Sequence, residues 1–577
     1  MLVQRFWLLF ALFMVIPAVA MGNASLSIAS DASDEVTRNV RVLINMERYP
    51  CSPPDAQYGL IRRQILDNAH KGLQALGYYH STLALELVRP ANGGCVQAKL
   101  NIQAGPPTLL DNIDIQISGP AKDDLAFQTR IANTRLTKGQ QLRHDHYTSL
   151  RRDLQQMLLT RGYMQGRLTR HQLIIDRDTR TADVELHVDS GPRYYFGEVE
   201  IEGSVLNEEM LHKFVRFTPG EPFNANQLLE TQQTFLGVNY FSAVRLQRGD
   251  PDEENLTVPI DLSLTDSRQW ATLAGVGIST DTGPRLRLGV ENRRVNRSGH
   301  KFRTETELSS VRRAAGASYQ IPLQDPLRQR LVFGTRYVKD MTKSVDTERF
   351  SVGADYIVEL NNRWVATTSI EFLDETFLVA GARDDAQLII PGFELSRTKS
   401  DDPIYPQRGW RLSGKYRFAE SSMGSSISFQ QVTGSGKLVL PVPGGRFLSR
   451  ISMGYTEVNR VTSLPASLRF FAGGDSSIRG FGFESIGPRA DNGDVVGGRH
   501  VIIGSTEYDV PFAQNWSVAV FQDSGNAFND FNDIEFRHSA GTGIRWRSPL
   551  GPIRFDVARA LDASRGWRVH LSMGPDL

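Results

Sequence analysis

From about residue 266 to the last residue of the chain, apolar and polar side chains alternate with a period of two. Successive side chains of a β-strand point to opposite faces of its sheet, so this period is typical of strands. One stretch places the apolar residues Leu286, Leu288 and Val290 against Arg285, Arg287 and Gly289. No helical period interrupts the pattern, which therefore predicts an all-β domain over residues 266–577.

The two faces of these predicted strands differ in chemistry, because one is apolar and rich in aromatic residues and the other is charged. A soluble sandwich would bury the apolar face in a core, whereas a membrane barrel turns it to lipid and lines its lumen with the polar face. The many strands without intervening helices, the aromatic residues and an export signal favour the barrel. A spanning strand takes roughly 9 to 11 residues, or about twenty with its connection. Residues 266–577 therefore have room for an even number of strands near 16. We therefore expect an antiparallel transmembrane β-barrel of about 16 strands.

The first twenty residues have the pattern of a secretory signal peptide. Arg5 precedes an uncharged apolar run at 6–19, and the run ends in the small residues of Ala-Val-Ala at 18–20. The alternative is an uncleaved membrane anchor, but the run is shorter than the roughly 20 residues that a spanning helix needs, and Pro17 lies near its end. We predict cleavage after Ala20.

Composition excludes several other classes of protein. The 65 Lys and Arg residues against 64 Asp and Glu leave a formal charge of +1, so the chain has no net charge with which to grip nucleic acid. Its only two cysteines are Cys51 and Cys95. They lie too far apart for a CxxC motif, and an even count in an exported chain favours a disulfide over free buried thiols.

Three similar segments recur in the N-terminal half, each at the end of an amphipathic helical pattern and before a strand-like run. They lie at residues 74–79, 159–163 and 236–241 and end in aromatic residues, roughly one small domain apart. Each repeat reads strand, helix, helix, strand, strand, which predicts α+β domains at 21–105, 106–191 and 192–265. The sheet edges of such domains are open to pairing with another extended chain.

One connection of the predicted barrel is too long for a simple turn. About forty residues separate the strand ending near Val458 from the one beginning near Arg499, and the connection carries aromatic residues. Downstream, alternation directs Asp523 and, on the previous strand, Glu507 into the lumen. A buried arginine needs carboxylate partners, and this wall supplies two of them.

These segments carry a resemblance to a known family. The three repeats resemble POTRA domains, Ile-Arg-Gly-Phe at 478–481 resembles a loop motif, and Phe-Gln-Asp-Ser-Gly at 521–525 resembles a wall motif of the BamA-like outer-membrane assembly and two-partner secretion superfamily. The resemblance implies that the loop folds into the barrel and that Arg479 pairs with Asp523, with Glu507 as a second partner. The other motif positions are Gly480, Phe481 and Gly525.

Three modules and about 16 strands are similar to the TamA branch of that superfamily. This implies an outer-membrane barrel with periplasmic POTRA domains, unfolded clients such as autotransporters, a TamB-like inner-membrane-anchored partner and no cofactor. The barrel would open sideways between its first strand at 271–279 and its last at 566–573. Glycines mark this seam: Gly275, Gly277 and Gly574. One departure is that such barrels often end in an aromatic residue, whereas this chain ends in Leu577.

Other functional classes are less consistent with the sequence. A two-partner secretion pore for one dedicated exoprotein would be expected to carry two modules, and a passive porin or receptor would need neither the repeats nor Arg479. Gly-Ser-Gly-Lys at 434–437 lacks the rest of a phosphate-binding loop. His144 and His146 lie two apart on a predicted helix and face different directions. The sequence therefore predicts a non-enzymatic protein.

Overall fold

A computed structural model describes residues 24–88, 95–549, 551–562, 566–574 and 576–577. The predicted signal peptide at 1–20 lies outside the described residues. The chain divides into two compact units, and the division runs through the third small domain. The first unit contains the first two small domains, and the second contains the barrel.

Each of the three small domains has the element order strand, helix, helix, strand, strand. The strand orders of their sheets are β1-β3-β2, β4-β6-β5 and β7-β9-β8. The elements are β1 Ser25–Ser30, α1 Asp34–Ile44, α2 Asp55–Gln74, β2 Thr82–Val88, β3 Gln97–Gln103; β4 Leu109–Ser118, α3 Leu125–Ala132, α4 His144–Thr160, β5 Arg167–Asp176, β6 Thr181–Asp189; β7 Tyr195–Glu202, α5 Glu208–His212, α6 Ala225–Gly237, β8 Phe241–Arg248 and β9 Thr257–Asp266.

Helical and strand periods decide which side chains enter the domain cores. In α4, Leu150, Leu154 and Leu158 recur every four residues and are buried, because that spacing places them on one helix face. They pack against the inward residues of β6, such as Val184 and Leu186. Among the described helices, none is both long and apolar enough to cross a membrane.

A disulfide fastens the first domain. Cys51 lies between α1 and α2, and Cys95 lies just before β3. The bond joins positions 44 residues apart in the chain, so it ties the connection between the helices to the sheet.

The second half of the chain forms one sheet of sixteen strands in sequence order, with every neighbouring pair antiparallel. The strands are β10 Trp270–Ser279, β11 Gly283–Asn292, β12 Lys301–Ser309, β13 Arg312–Pro322, β14 Gln329–Met341, β15 Val345–Glu359, β16 Val365–Val379, β17 Ala382–Ser400, β18 Gly409–Ala419, β19 Phe429–Val442, β20 Gly445–Val458, β21 His500–Ala513, β22 Trp516–Phe528, β23 Arg537–Ser548, β24 Gly551–Ala560 and β25 Trp567–Met573. The predicted fold, POTRA-like repeats followed by a barrel of about 16 strands, is confirmed.

Alternation along the strands separates two environments. On β22, Val518 and Val520 are exposed on the outer face, whereas Phe521 and Asp523 are buried inside. The outer face carries apolar residues on almost every strand, as a lipid-facing surface requires. The barrel lumen is therefore the polar side of the sheet.

The first and last strands close the barrel only loosely. Within the described residues, the ladder runs from β10 to β25 without pairing the two ends. The Thr280 backbone N–H donates to the Leu571 carbonyl at 3.1 Å, and the Leu571 N–H lies 3.4 Å from the Thr280 hydroxyl. This seam is held by far fewer backbone hydrogen bonds than any neighbouring pair of strands.

Candidate functional site

The connection between β20 and β21, residues 459–499, folds into the barrel as a lumenal loop with its own small core. Its buried apolar residues meet apolar residues of the wall in one cluster, which contains Ala472, Ile478, Phe481, Ile486, Val501, Ala527 and Ala560. An extended loop in water would leave these side chains exposed. Their burial fixes the loop against β21, β22 and β24.

Arg479 lies at the centre of this contact and is 5% exposed. Its Nε and Nη2 atoms donate to the two carboxylate oxygens of Asp523 at 2.8 and 2.9 Å. The Arg479 backbone N–H donates to the same carboxylate at 3.0 Å, and Nη1 donates to Glu507 at 2.8 Å. The structure thus brings together the three charged residues that the motifs indicated, in the two-pronged geometry that favours arginine over lysine.

Two further charged residues belong to the same network and were not singled out in the sequence. Asp556 of β24 lies 3.2 Å from Arg479 Nη1. Arg545 of β23 binds two of these carboxylates: its Nη1 donates to Asp556 at 2.5 Å, and its Nε donates to Glu507 at 3.0 Å. Alternation could have found both, because their sequence neighbours Ile544, Trp546 and Phe555 face outward.

With Arg450, whose Nη2 lies 4.0 Å from Asp523, the network contains three arginines and three carboxylates, and each of the six has a partner of opposite sign. Phe521 lies below Arg479, with the guanidinium carbon 3.3 Å from the ring centroid. Ser505 donates to Asp523 at 2.6 Å. Buried charges of this kind are tolerable only when hydrogen bonds satisfy them, and removing one member leaves the others uncompensated.

Glycine is required at two motif positions because other backbone comes close. A Cβ atom on Gly480 would lie 2.6 Å from Ser539 Cβ and 2.7 Å from the Ala560 backbone nitrogen. A Cβ on Gly525 would lie 2.4 Å from the Ile502 carbonyl oxygen. The glycines thus allow the loop to lie directly against the wall, with Phe481 buried beside them.

Additional polar contacts hold the loop elsewhere around the wall. Glu375 of β16 accepts from the Ser467 backbone N–H at 3.1 Å and from its hydroxyl. Arg450 of β20 donates to the carbonyls of Ser476 and Ser477 at 2.6 and 2.7 Å. The loop is fixed at several separate points.

The loop also touches both sides of the seam. On the first-strand side, Ser279 donates to Asp475 at 2.5 Å, and the Asp475 backbone N–H donates to Asp281 at 2.6 Å. On the last-strand side, His570 donates through Nε2 to the Arg479 carbonyl. The loop therefore connects two strands that barely pair with each other.

The predicted seam glycines occupy the expected strands but differ in surroundings. Gly275 and Gly277 lie in β10, and a Cβ on either would meet Arg287 or Arg285 only at ordinary contact distance, 3.9 and 3.6 Å. Gly574 follows β25, and a Cβ atom there would have nothing within 4 Å. In the described part of the chain, no group of His, Cys, Asp and Glu side chains is placed to hold a metal ion.

Family models match most of the chain. The model of the Omp85 superfamily domain matches residues 235–574, which is more than half of the chain. A model described as POTRA domain TamA domain 1 matches residues 25–104, and the POTRA model described as surface antigen variable number repeat matches 194–265.

Individual proteins are similar at low identity. Outer membrane protein assembly factor BamA of Nitratidesulfovibrio vulgaris is 24% identical over 408 residues, covering 67% of this chain and 51% of the relative. The protein of the same name from Neisseria meningitidis serogroup B is 22% identical over 491 residues, covering 72% and 60%. The chain thus spans between half and two thirds of the length of these relatives.

Solved structures with the same fold include a BamA. It is BamA from Haemophilus ducreyi lacking POTRA domains 1–3, with a TM-score of 0.68 and 17% sequence identity. The match covers 81% of this chain and 99% of that one.

Proposed function

The chain belongs to the Omp85 superfamily, and from this premise we propose that it is an outer-membrane assembly factor that inserts or translocates client proteins through a laterally opening barrel. The barrel lies in the outer membrane, and the N-terminal POTRA domains lie in the periplasm. The clients are unfolded outer-membrane proteins, with autotransporters as the class that we propose.

One observation carries the proposal: within the described residues, the first and last strands of the sheet are almost unpaired, and an ion-paired lumenal loop connects these two strands. Thr280 and Leu571 supply the backbone contact of the seam, while Asp475 and the Arg479 carbonyl contact its two sides. A pore that passes cargo along its axis needs no such seam. A factor that delivers strands into the bilayer needs a wall that parts, and moving the loop would release both of its sides.

We assign the Arg479 network the role of a lock on the loop. Asp523 and Glu507 hold the arginine, Gly480 and Gly525 allow the close approach, and Phe481 anchors the loop. Gly275, Gly277 and Gly574 mark the strands that would separate. The proposed boundaries are 21–105, 106–191 and 192–265 for the POTRA domains and 266–577 for the barrel.

Within the superfamily, we place the chain in the TamA branch. Three small domains precede the barrel, and the first matches the TamA-type POTRA model. A TamB-like protein anchored in the inner membrane is then the expected periplasmic partner. Co-purification from detergent-solubilised outer membranes, followed by mass spectrometry, tests this assignment.

A disulfide across the seam tests lateral opening. Thr280→Cys with Leu571→Cys places the two thiols on directly opposed residues, in a background that lacks Cys51 and Cys95 so that native thiols do not exchange. Oxidation should abolish client assembly, and reduction should restore it. The matched control is Val557→Cys with Val569→Cys, which joins the same last strand to its permanent neighbour β24 and should have no effect.

Full client assembly with the seam demonstrably crosslinked would overturn lateral opening. That result would favour the alternative function, a two-partner secretion pore for a dedicated exoprotein, because such cargo travels along the lumen.

A further inference from the structure

A second buried ionic cluster lies in the lumen and borders the same cavity as the Arg479 network. Its centre is Arg446 of β20, which is 4% exposed. Arg446 pairs with Asp509 of β21, and its Nη1 donates to the Pro406 carbonyl at 2.6 Å. The guanidinium carbon lies 3.6 Å from the centroid of the Tyr405 ring. These contacts leave the guanidinium of Arg446 almost no access to solvent.

Three cations of this cluster bind a single residue that follows the last strand. Arg446 Nη1 lies 3.0 Å from one carboxylate oxygen of Asp576, and Arg554 Nη2 lies 2.5 Å from the other. The Lys437 ammonium donates to the Asp576 carbonyl at 3.1 Å. We call Arg446, Arg554 and Lys437 the basic cradle.

Strand direction places the cradle at the end of the barrel where its first strand, β10, begins. β10 begins at that end, so in an antiparallel sheet β20 and β24 begin there and β19 ends there. Arg446 and Arg554 lie close to the starts of β20 and β24. The lumenal loop enters from the opposite end, between β20 and β21.

Asp576 does not continue the wall beyond β25. Its partners lie on β19, β20 and β24, so the segment after β25 turns inward and crosses toward other strands. The side chain of Leu577 reaches β18, where a Cβ atom on Gly409 would meet it at 2.5 Å. The segment occupies space that would otherwise be open.

Another anion could take the place of the Asp576 carboxylate, because the cradle is positively charged. The cradle supplies three positive charges, and the carboxylates that pair with it are those of Asp509 and Asp576. If Asp576 left, Arg446 would keep Asp509, whereas Arg554 and Lys437 would lose the ion pair and the carbonyl contact that Asp576 gives them. Buried cations without partners are costly, so an emptied cradle would attract a carboxylate.

A cavity connects the cradle to the seam. It has a volume of about 390 Å³ and is lined by Lys437, Arg554 and Asp576, by Ile278 and Ser572 of the first and last strands, and by Arg479, Glu507 and Asp556 of the other network. The cavity thus borders both the cradle and the strands of the seam.

We propose that the basic cradle is a carboxylate-binding site, which holds Asp576 at rest and receives an acidic segment of an extended client polypeptide when the tail leaves. The identity of the occupant rests on the proposed function. The site itself rests on the three cations and the anion that they hold. Tail and client compete for one position, so a client would displace the tail from the lumen.

Peptide binding to the full-length protein in detergent tests the proposal. The probe is a fluorescein-labelled peptide of about ten alternating apolar and serine residues, with one internal Asp and a free terminal carboxylate. Asp576→Asn removes the internal competitor and should tighten binding about tenfold relative to the unmodified protein. Asp346→Asn, which changes an exposed carboxylate on β15, should leave binding unchanged.

The chemistry of the peptide separates the two sources of carboxylate. An amidated peptide with its Asp kept, and a peptide with Asn and a free terminus, show which group the cradle binds. A peptide lacking both carboxylates should bind no better to Asp576→Asn than to the unmodified protein. Equal tightening for that neutral peptide would overturn the carboxylate site.

A second variant and a second readout distinguish loss of the binding site from misfolding of the barrel. Arg554→Gln in the Asp576→Asn background should remove the gain in affinity, with barrel folding checked by heat-modifiable gel migration. Leu577→Cys, in a background without the native cysteines, should react slowly with a maleimide and faster once the peptide is added. An unchanged rate at saturating peptide would show that tail and peptide do not compete. The binding measurement does not depend on client assembly. A negative result here can therefore be told apart from a negative result in the seam crosslink.

Discussion

The backbone carbonyl of Arg479 accepts a hydrogen bond from Nε2 of His570, so the arginine that ties the loop to the wall also ties it to the last strand. The same arginine binds Asp523 on β22 and Glu507 on β21 through its side chain. One residue therefore couples the state of the lumenal loop to the edge of the seam.

Arg479→Ala should release the loop while the barrel still folds. It leaves Asp523 and Glu507 buried without their shared cation, and breaking a buried charge pair costs roughly 3 to 5 kcal/mol. Client assembly should fall at a normal level of folded barrel, measured by heat-modifiable migration. Arg489→Ala is the matched control, because Arg489 lies in the same loop but contacts only carbonyls at its exposed face. Undiminished client assembly in Arg479→Ala would show that Arg479 does not act as a lock on the loop.

His570→Ala should loosen the loop more mildly, by about 1 to 3 kcal/mol, because a buried carbonyl loses its donor. Trypsin added to outer-membrane fragments should then cleave after Arg479 faster, with the site of cleavage identified by mass spectrometry. Val569→Ala changes the neighbouring lipid-facing residue and should not alter the rate. Equal cleavage rates in the two variants would show that His570 of the last strand does not hold the loop.

Alternation and motifs located much of this site from the sequence. A period of two places Asp523 inside once Val518 and Val520 face out, and the loop motif includes Arg479 and Gly480. Asp556 and Arg545 follow the same rule, yet no motif singles them out among many lumenal polar residues. Alternation indicates the face of a side chain, not its partner across the lumen.

The contacts of Asp576 could not be predicted in that way. Arg446 precedes it by 130 residues, and no period or motif relates the two positions. The same limit applies to the seam, because strand patterns predict sixteen strands but not how tightly the ends pair. Both features depend on the closed shape of the wall.

The Cys51–Cys95 bond should stabilise the first domain. Closing a chain segment of 44 residues restricts the unfolded state by about 3 to 4 kcal/mol. Maleimide labelling of the denatured protein should find no thiol before reduction and two afterwards. Cys51→Ala with Cys95→Ala should make residues in the first domain more sensitive to protease than those in the second. Quantitative labelling before reduction would exclude the bond.

Asp124 should make the second domain sensitive to acid. Burial by itself raises the pKa of Asp124, but hydrogen bonds from Arg161 and the Ala126 N–H, with the charge of Arg193 nearby, lower the pKa below its ordinary range. A carboxyl with a depressed folded-state pKa stabilises the fold above its unfolded pKa of about 4 and loses that contribution as the pH falls through the folded value.

Asp124→Asn should therefore be less stable than the unmodified protein at pH 7, and the difference should shrink as the pH falls below about 4. Pulse proteolysis of the full chain in urea, followed at cleavage sites within residues 106–191, measures this difference at each pH. Asp178→Asn is the matched control, because Asp178 lies in an exposed turn of the same domain. A difference between Asp124→Asn and the unmodified protein that stays constant from pH 7 to pH 3 would show that the hydrogen-bonded shape of the side chain, rather than its charge, stabilises the domain.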